Sequence, residues 1–248
     1  MLSCPICGIH LSANASILFY KCYSCNHWIA KFETSIADAQ DAIFEQVADG
    51  DSAIYFLDDV RRAASKIILD QLVKLGPGKL LDVGCASGLF LELAEKDGFE
   101  VQGIEPNKKM SVYPIKKGLP VHVGFFPDIL DDRERFKFII FNDVLEHIED
   151  IHSTLGSCNE FLETDGFLTI NVPNCNGLFF RIANFLNLIG YAKPWNRLWQ
   201  TMFYTPHLHY FSPQSLVACV ENHGFQKISG PIYLPVIGLV GLWGRISA

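Results

Sequence analysis

Four cysteines near the start of the chain have the spacing of metal ligands. Cys4 with Cys7 and Cys22 with Cys25 form two C-x-x-C pairs, and fourteen residues lie between the pairs. Two such pairs can face each other around one tetrahedral ion, and four thiolates leave no coordination position for water. We therefore predict a zinc ribbon in residues 1–33, in which Zn²⁺ is structural and not catalytic.

Two histidines near these pairs are further candidate ligands. His10 and His27 could each replace a cysteine, although a surface or core role is the more frequent reading of such a histidine. The remaining cysteines lack partner spacing, and we interpret their thiols as small apolar groups without chemistry. In a reducing compartment, zinc explains the four paired thiols better than disulfides do.

A second candidate site is the glycine-rich turn within residues 79–93, KLLDVGCASGLFLEL. The apolar run before the turn is typical of a buried parallel strand, and leucines at helical spacing follow it. Glycines let the backbone approach a ligand closely, and the amides of a new helix offer donors. The pattern predicts a nucleotide cleft, and an ordinary βα loop is the alternative for the turn alone.

Glu105 ends the next apolar run, 23 positions after Asp82. A carboxylate at the tip of the second strand of such a βαβ unit typically binds ribose hydroxyls. The turn itself departs from the G-x-G-x-x-G pattern of dinucleotide enzymes.

The order of these pieces resembles the class I S-adenosylmethionine-dependent methyltransferases, over roughly residues 50–230. Their glycine motif has the form hydrophobic-D-h-G-x-x-x-G. The run FNDVLEHI at residues 141–148 is similar to the fourth-strand motif of their subgroup that includes ubiquinone-type, sugar and lipid methyltransferases. The resemblance implies S-adenosyl-L-methionine as cofactor, held by Asp82, Gly84, Cys85, Ala86, Gly88, Glu105, Pro106, Phe125, Phe126, Asn142 and Asp143.

Some of these residues have more specific expected roles. The turn at residues 124–128 should face the adenine, where Phe125 or Phe126 could cover the purine, although both could equally belong to the core. Asn142 and Asp143 should emerge at the carboxyl end of the fourth strand, where they could hold the cofactor's ammonium.

Two histidines are the candidate catalytic residues. His147 could act as a general base, or could instead cap its loop by hydrogen bonds. His207 lies in a segment that resembles the histidine-containing segment before the last helix of the subgroup, and His209 would point the same way in an extended chain. Related sugar C-methyltransferases with a zinc module have Glu-His there, whereas this chain has Pro206, so only an acid/base role is carried over to His207.

These residues need a scaffold that brings strand ends to one edge. The predicted fold class is α/β: a Rossmann-like, doubly wound, mostly parallel seven-stranded sheet preceded by the zinc ribbon. A helix is expected over Ala53–Leu75, and strands are expected at residues 119–123, 136–141, 166–172 and 225–228. The predicted domains are the ribbon at 1–33, an acidic linker or helix at 34–52, and a methyltransferase domain at 53–248 with a lid insertion at about 177–206.

The insertion and the tail are apolar in composition. Residues 177–203 combine Phe, Leu, Ile and Trp with Arg181, Lys193 and Arg197. This segment could be a substrate lid, an interfacial membrane helix or ordinary packing. The tail over Ile232–Trp243 could be a last strand, a membrane contact or the start of a further segment.

Bulk composition limits the function classes. The chain has 248 residues, 49% of them hydrophobic, with net charge −7 and a pI of about 5.6. This acidity argues against broad nucleic-acid binding. No apolar run reaches about 18 residues, so we expect a cytoplasmic protein, and peripheral contact with a membrane is left open.

We hypothesise methyl transfer from S-adenosylmethionine to a small-molecule, sugar or lipid-linked acceptor. One alternative is an rRNA or tRNA base methyltransferase that uses the ribbon to contact RNA, because a four-cysteine ribbon also resembles that of certain rRNA guanine methyltransferases. Another is a non-catalytic interaction protein that senses the cofactor.

Overall fold

The computed structural model describes residues 3–11, 18–32, 51–201, 205–233 and 238–245. The predicted linker at 34–52 therefore lies outside the described residues, except for its last two residues, which begin a helix. The strands are β1 Phe19–Cys22, β2 His27–Ala30, β3 Lys79–Val83, β4 Glu100–Glu105, β5 Val121–Val123, β6 Phe136–Asn142, β7 Leu162–Pro173, β8 His209–Tyr210, β9 Phe225–Tyr233 and β10 Gly238–Arg245. The α-helices are α1 Asp51–Leu72, α2 Leu89–Lys96, α3 Lys108–Lys116, α4 Ile151–Phe161, α5 Leu178–Leu188, α6 Lys193–Leu198 and α7 Pro213–Glu221.

The large sheet has seven strands in the order β5-β4-β3-β6-β7-β10-β9. The first five strands in that order pair in parallel, whereas β10 runs antiparallel to both β7 and β9. The predicted Rossmann-like, mostly parallel seven-stranded sheet is confirmed. The tail resolves into a strand for Gly238–Arg245, and Trp243 is buried there.

Helices cover both faces of this sheet. Consecutive residues of β6 alternate between two cores, with Phe138 and Ile140 in one and Ile139 and Phe141 in the other. This alternation follows from the two-residue period of a strand. The first core lies under α1 and α2, and the second lies under α4 and α7. Burial on both faces explains why residues 138–141 of β6 form a continuous apolar run.

The cysteine module packs directly onto the main domain. β1 and β2 form an antiparallel hairpin, and β8, from the segment before α7, adds to β2 as a third strand. The Ala30 amide also donates to the Leu208 carbonyl at 2.8 Å. Cys4 and Ile6 belong to the same core cluster as the sheet's inner residues. The ribbon therefore shares both hydrogen bonds and core with the domain that follows it.

Several predicted element boundaries were wrong by a few residues. The helix predicted over Ala53–Leu75 is α1, whose α-helical part ends at Leu72. Val73–Leu75 form a 3₁₀ turn after it. The third strand of the domain begins at Val121 and not at Leu119, since Pro120 between them has no amide hydrogen to donate. β7 begins at Leu162 and not Gly166, through an irregularity in its pairing with β6.

The predicted lid contains the helices α5 and α6. Trp195 and Trp199 are buried and pack in a cluster with Phe180, with Phe19 of the ribbon and with Trp28 of the ribbon. These tryptophans thus tie the insertion to the ribbon. Residues 202–204 of the insertion lie outside the described residues.

Candidate functional site

The glycine turn follows β3 at the carboxyl edge of the sheet. Gly84 has φ +74° and Gly88 has φ +79°, both in the left-handed region that favours glycine. A Cβ atom at Gly84 would lie 2.6 Å from Val144 Cγ2, in the loop after β6. The amides of Gly84 and Cys85 both donate to the Ile104 carbonyl. The turn is therefore held between the ends of β4 and β6.

Glu105 lies at the tip of β4, as the sequence predicts. One carboxylate oxygen accepts from the Ala86 amide and the other from the Asn107 amide, each at 2.8 Å. The side chain is buried, and burial raises its pKa while these two amides oppose the shift. The carboxylate is thus fixed beside the glycine turn, where a polyhydroxylated ligand could donate to it.

Asp82 is a second buried carboxyl beneath the turn. Burial raises its pKa to about 8, and the nearby Glu105 charge adds to the shift. Two close carboxylates in a low-dielectric place disfavour joint ionisation, so this part of the site favours a cationic group in a ligand. The ammonium and sulfonium groups of S-adenosylmethionine have that sign.

The other predicted cofactor residues take different positions. Asn142 and Asp143 follow β6, and the Asn171 side-chain amide donates to Asn142 Oδ1 at 2.7 Å and to Asp143 Oδ1 at 3.1 Å. Parallel pairing sets Asn142 opposite Asn171, which explains the contact. Asp143 has φ +59°, and desolvation by the surrounding protein raises the pKa of its carboxyl to about 6, while the Arg61 guanidinium charge opposes the shift.

Phe125 and Phe126, at the turn after β5, face different environments. Phe125 is 43% exposed, whereas Phe126 packs against the main core and contacts the rings of Phe141 and Phe161 edge-on. Pro106 is half-buried after Glu105. Of the two rings, only Phe126 is packed into the core, so Phe125 is the one that could cover a ligand.

A buried acid/base cluster lies in the loop after β6. Glu146 and His147 belong to a 3₁₀ turn, and His207 approaches from the segment before β8. The two imidazole rings meet edge-on with centroids 4.7 Å apart, and His147 Nε2 lies 4.0 Å from Glu146 Oε1. The side chain of His147 is 21% exposed, while Glu146 and His207 are buried behind it. His147 is the member of this cluster that a substrate could reach.

Hydrogen bonds fix the orientation of both histidines. His147 Nδ1 lies 2.9 Å from the Pro206 carbonyl oxygen, to which it must donate, so Nε2 carries the lone pair. Tyr210 OH donates to the Leu198 carbonyl, so it accepts from His207 Nδ1. The side chain of Gln200 then donates to His207 Nε2 at 2.8 Å. Burial lowers the pKa of both histidines, and both are neutral near pH 7.

Glu146 is the residue whose importance the sequence reasoning missed. Neither of its buried carboxylate oxygens has a hydrogen-bond partner among the described residues, and burial, followed by the Asp143 charge, raises its pKa well above the ordinary value. The ligand atoms of Glu146, His147 and His207 lie within 4.8 Å of one another, so this set could hold a divalent cation. The sequence signal that could have identified Glu146 was its position immediately before the candidate base His147.

The four cysteines of the ribbon come together as predicted. Their sulfur atoms lie within 4.8 Å of one another, and Cys4–Cys25 and Cys7–Cys22 are each separated by 3.5 Å. Tetrahedral Zn–S bonds of about 2.3 Å place sulfurs about 3.8 Å apart, so the set fits one ion. Burial raises the pKa of the Cys4 thiol to about 11, so a cation would be needed to keep it ionised.

Neither of the two alternative histidine ligands belongs to this set. His27 is fully buried, and its Nε2 lies 3.2 Å from Nδ1 of His209 across the contact between ribbon and domain. His10 is exposed. His209 therefore does not share a pocket with His207, contrary to the expectation for an extended chain. The strand β8 contains only His209–Tyr210, so the two side chains belong to different local conformations.

Comparison with known proteins gives the family. Residues 56–229 match the family described as "Methyltransferase domain", which is most of the chain. The chain belongs to this methyltransferase family. The resemblance to class I S-adenosylmethionine-dependent methyltransferases is thereby confirmed, and the matched range contains both the glycine turn and the Glu146–His147 turn.

The relatives of this methyltransferase domain include ubiquinone enzymes. It is 29% identical over 149 residues to "Ubiquinone biosynthesis O-methyltransferase" of Rhodopseudomonas palustris strain HaA2, covering 54% of this chain and 57% of that protein. It is 26% identical over 174 residues to the mitochondrial protein of that name from Bos taurus, covering 64% of this chain and 45% of that protein. The chain thus spans about half the length of the curated relatives it matches.

Solved structures with the same fold are more distant in sequence. The 1,6-didemethyltoxoflavin-N1-methyltransferase of Burkholderia thailandensis, solved with S-adenosylhomocysteine, has a TM-score of 0.61 at 16% identity, covering 89% of this chain and 96% of that one. The magnesium protoporphyrin IX methyltransferase of Synechocystis PCC 6803, also solved with S-adenosylhomocysteine, has a TM-score of 0.58 at 16% identity, covering 83% and 95%. At such identities these likenesses establish the fold.

Proposed function

We propose that this protein transfers a methyl group from S-adenosylmethionine to a hydroxyl group of a small-molecule acceptor. The observation that carries the proposal is the adjacency of two half-sites. The Glu105 carboxylate is fixed beside the glycine turn, and Val144, which contacts that turn, leads directly into the Glu146–His147 turn. The candidate cofactor residues and a candidate base therefore share one edge of the sheet, where open α/β sheets bind ligands.

The protein's own residues divide the work between binding and proton transfer. When bound, S-adenosylmethionine supplies an electrophilic methyl group. Glu105 would accept hydrogen bonds from the ribose hydroxyls of the bound cofactor, and Asp82 and Asp143 would favour positive charge in that ligand. His147, whose side chain is neutral and partly exposed, takes the proton of the acceptor hydroxyl at Nε2. His207 is a positioning residue that keeps the His147 ring in place.

A divalent cation at Glu146, His147 and His207 is a second way to activate the same hydroxyl. Two unpartnered oxygens on a buried carboxylate favour it, because a cation would compensate their loss of solvation. The cation would lower the pKa of a coordinated hydroxyl and replace the Gln200 hydrogen bond at His207. This alternative changes the route of proton loss but not the reaction.

We also propose that the four-cysteine set holds a structural Zn²⁺. The all-sulfur ligands and their separations support zinc over Mg²⁺ or Ca²⁺, which prefer oxygen ligands. Among the described residues, no other group of four cysteines gathers in this way. Metal analysis of the purified protein tests this, and the expected content is one zinc per chain.

The first test combines calorimetry with an acceptor screen. Micromolar binding of S-adenosylmethionine and S-adenosylhomocysteine is expected, followed by methylation of a phenolic or other hydroxyl-bearing acceptor such as the relatives' names suggest. Binding without turnover on any acceptor would support the cofactor-sensing alternative, and transfer to rRNA or tRNA would support the RNA alternative. Absence of cofactor binding would refute all three.

Chelation separates the two routes of proton loss. If His147 acts alone, turnover should survive EDTA as long as the ribbon zinc is retained. If a cation is used, EDTA should abolish turnover and Mg²⁺ or Mn²⁺ should restore it. Mg²⁺ does not refill a four-thiolate site, so rescue by Mg²⁺ would assign the effect to the Glu146 cluster.

A further inference from the structure

We propose that one face of α5 docks on the surface of an anionic lipid bilayer. The α5 face consists of large apolar side chains that are 46% to 76% exposed: Leu178, Phe179, Ile182, Phe185, Leu188 and Ile189. Positions 178, 182, 185 and 189 recur at helical spacing, so they form one continuous strip. A contiguous apolar surface of this kind marks an interaction site.

The opposite face of α5 fixes this orientation. Phe180 and Ala183 are buried against the aromatic cluster that contains Trp195, Trp199 and residues of the ribbon. Because that face is already packed, α5 cannot rotate to bury its outer strip without breaking the cluster. The exposed strip is therefore a fixed feature of the surface.

Charge favours a lipid surface as the occupant. No Asp or Glu occurs between Asp165 and Glu221, and that stretch contains Arg181, Lys193 and Arg197. The chain as a whole has net charge −7, so this stretch contributes +3 and the remainder −10. An apolar strip beside cations on an otherwise acidic protein is the pattern of an interfacial helix on anionic headgroups.

The length of α5 and its charges argue against other placements. α5 has 11 residues, which makes it about 16 Å long and too short to cross a hydrocarbon core of about 30 Å. Within the part of the chain that the structure describes, no helix is long and apolar enough to span a bilayer. A symmetric contact between two copies would bring the same cations together, which opposes self-association.

The α5 face is connected to the acid/base cluster. The Trp199 carbonyl at the end of α6 accepts from the His207 amide, and the Leu198 carbonyl accepts from Tyr210 OH, which in turn contacts His207. Phe180, on the inner face of α5, contacts the Tyr210 ring with centroids 4.7 Å apart, so a membrane docked on α5 would be held by the same packed unit that supports His207. Resting on the proposed function, this implies an apolar acceptor that is dissolved in the membrane and presents a hydroxyl at its surface.

Vesicle flotation with matched variants tests the proposal. Vesicles of phosphatidylcholine alone are compared with vesicles that also contain phosphatidylglycerol. The wild-type protein should float with the anionic vesicles and less with the neutral ones. F185E/L188E should lower partitioning by about tenfold or more, because two large side chains leave the interface and two negative charges enter.

V112E/I115E is the matched control. Val112 and Ile115 are exposed apolar residues of α3, which packs beside β4 and β5, and the double change alters hydrophobicity and charge in the same way. This variant should float like the wild type. Failure of the wild type to float, or equal loss in both variants, would overturn the proposal. A wild-type dimer that only F185E/L188E dissociates would assign the α5 face to a second copy instead.

Calorimetry on the same variants separates this proposal from the proposed function. F185E/L188E should bind S-adenosylmethionine as tightly as the wild type, since α5 does not contribute to the glycine turn. Flotation without any cofactor binding would leave the membrane surface standing and refute the enzymatic function. Turnover of a soluble acceptor without flotation would support the enzymatic function and refute the membrane surface.

Discussion

The two ring nitrogens of His147 have different surroundings. Nδ1 donates to the Pro206 carbonyl, and Nε2 lies 4.0 Å from Glu146 Oε1. Burial lowers the pKa of His147 below its ordinary value of 6.5. The imidazole that we propose as the base is therefore neutral at neutral pH, and it becomes protonated only as the solution is made more acidic.

This gives a prediction for the pH dependence of turnover. kcat/KM should be flat near pH 7 to 8 and should fall on the acid side, with its midpoint below the usual histidine pKa of about 6.5. His147→Asn should lower kcat by about 10²- to 10⁴-fold and remove the acid limb, while cofactor affinity is unchanged. Steady-state kinetics over a pH series checks both. An acid limb that persists in the variant would exclude His147 as its source.

Glu105 gives a second prediction at the residue scale. In Glu105→Gln, one carboxylate oxygen becomes an amide nitrogen that cannot accept from the Ala86 or Asn107 amide. The affinity for S-adenosylmethionine should fall by about 10- to 100-fold, since a charged hydrogen-bond partner contributes about 1.5–3 kcal/mol. Titration calorimetry measures it.

The control for this change lies on the same strand. Glu100 is exposed at the start of β4, far along the strand from the ligand edge. Glu100→Gln removes the same charge and should leave the affinity unchanged. Equal weakening by both variants would mean that net charge, and not the position of Glu105, governs binding.

At the scale of elements, the approach of two loops depends on one glycine. Gly84 has φ +74°, and its missing Cβ leaves space for Val144 from the loop after β6. Gly98, between α2 and β4, has φ +90°, but apart from its chain neighbours no atom of the described residues lies within 4 Å of the position of its Cβ. Alanine would therefore be strained in its backbone at both Gly84 and Gly98, but only at Gly84 would its Cβ also clash with Val144.

We expect Gly84→Ala to be more destabilising than Gly98→Ala. Gly98→Ala should cost about 1–2 kcal/mol for the left-handed conformation, and Gly84→Ala should cost about 1–3 kcal/mol more for the clash and should weaken cofactor binding. Denaturant unfolding and calorimetry measure these effects. Adding Val144→Ala to Gly84→Ala should recover part of both losses, and no recovery would show that the clash is not the cause.

At the scale of the whole molecule, the ribbon and the methyltransferase domain share one structure. β8 pairs with β2, Cys4 and Ile6 lie in the main core, and Phe19 and Trp28 pack on the tryptophans of α6. Loss of the Zn²⁺ that we propose for the ribbon should therefore affect the domain as well, because the shared contacts would lose their partners.

Metal removal tests this coupling. A strong chelator should lower the apparent Tm of the single main unfolding transition, and added Zn²⁺ should restore it while Mg²⁺ should not. Differential scanning calorimetry measures the transition. An unchanged main transition after complete loss of zinc would show that the ribbon is energetically independent of the domain.

Local patterns were sufficient for the main elements of the site. The apolar run before Gly84, the carboxylate at Glu105 and the cysteine spacing each depend on neighbours within a few residues, and the structure has them where they were expected. The predicted ends of strands and helices were less accurate. Pro120 delays the start of β5 to Val121, and an irregular pairing with β6 lets β7 begin already at Leu162. The cofactor roles of the individual residues and the cytoplasmic location stay predictions.

The sequence by itself determined the order of strand, turn and helix, the family, and the two C-x-x-C motifs. Hydrophobic periodicity and motif spacing are enough for these, because each is a property of a single element. Only the tertiary structure decided that His207 contacts His147 while His209 contacts His27. It decided as well that the buried Glu146 carboxylate has no hydrogen-bond partner among the described residues. It also decided that α6 buries its tryptophans against the ribbon and leaves the α5 face outward. These outcomes depend on which distant segments pair. Because β8 pairs with β2, the segments on either side of β8 are held against the ribbon, and this contact determines which of their side chains are buried.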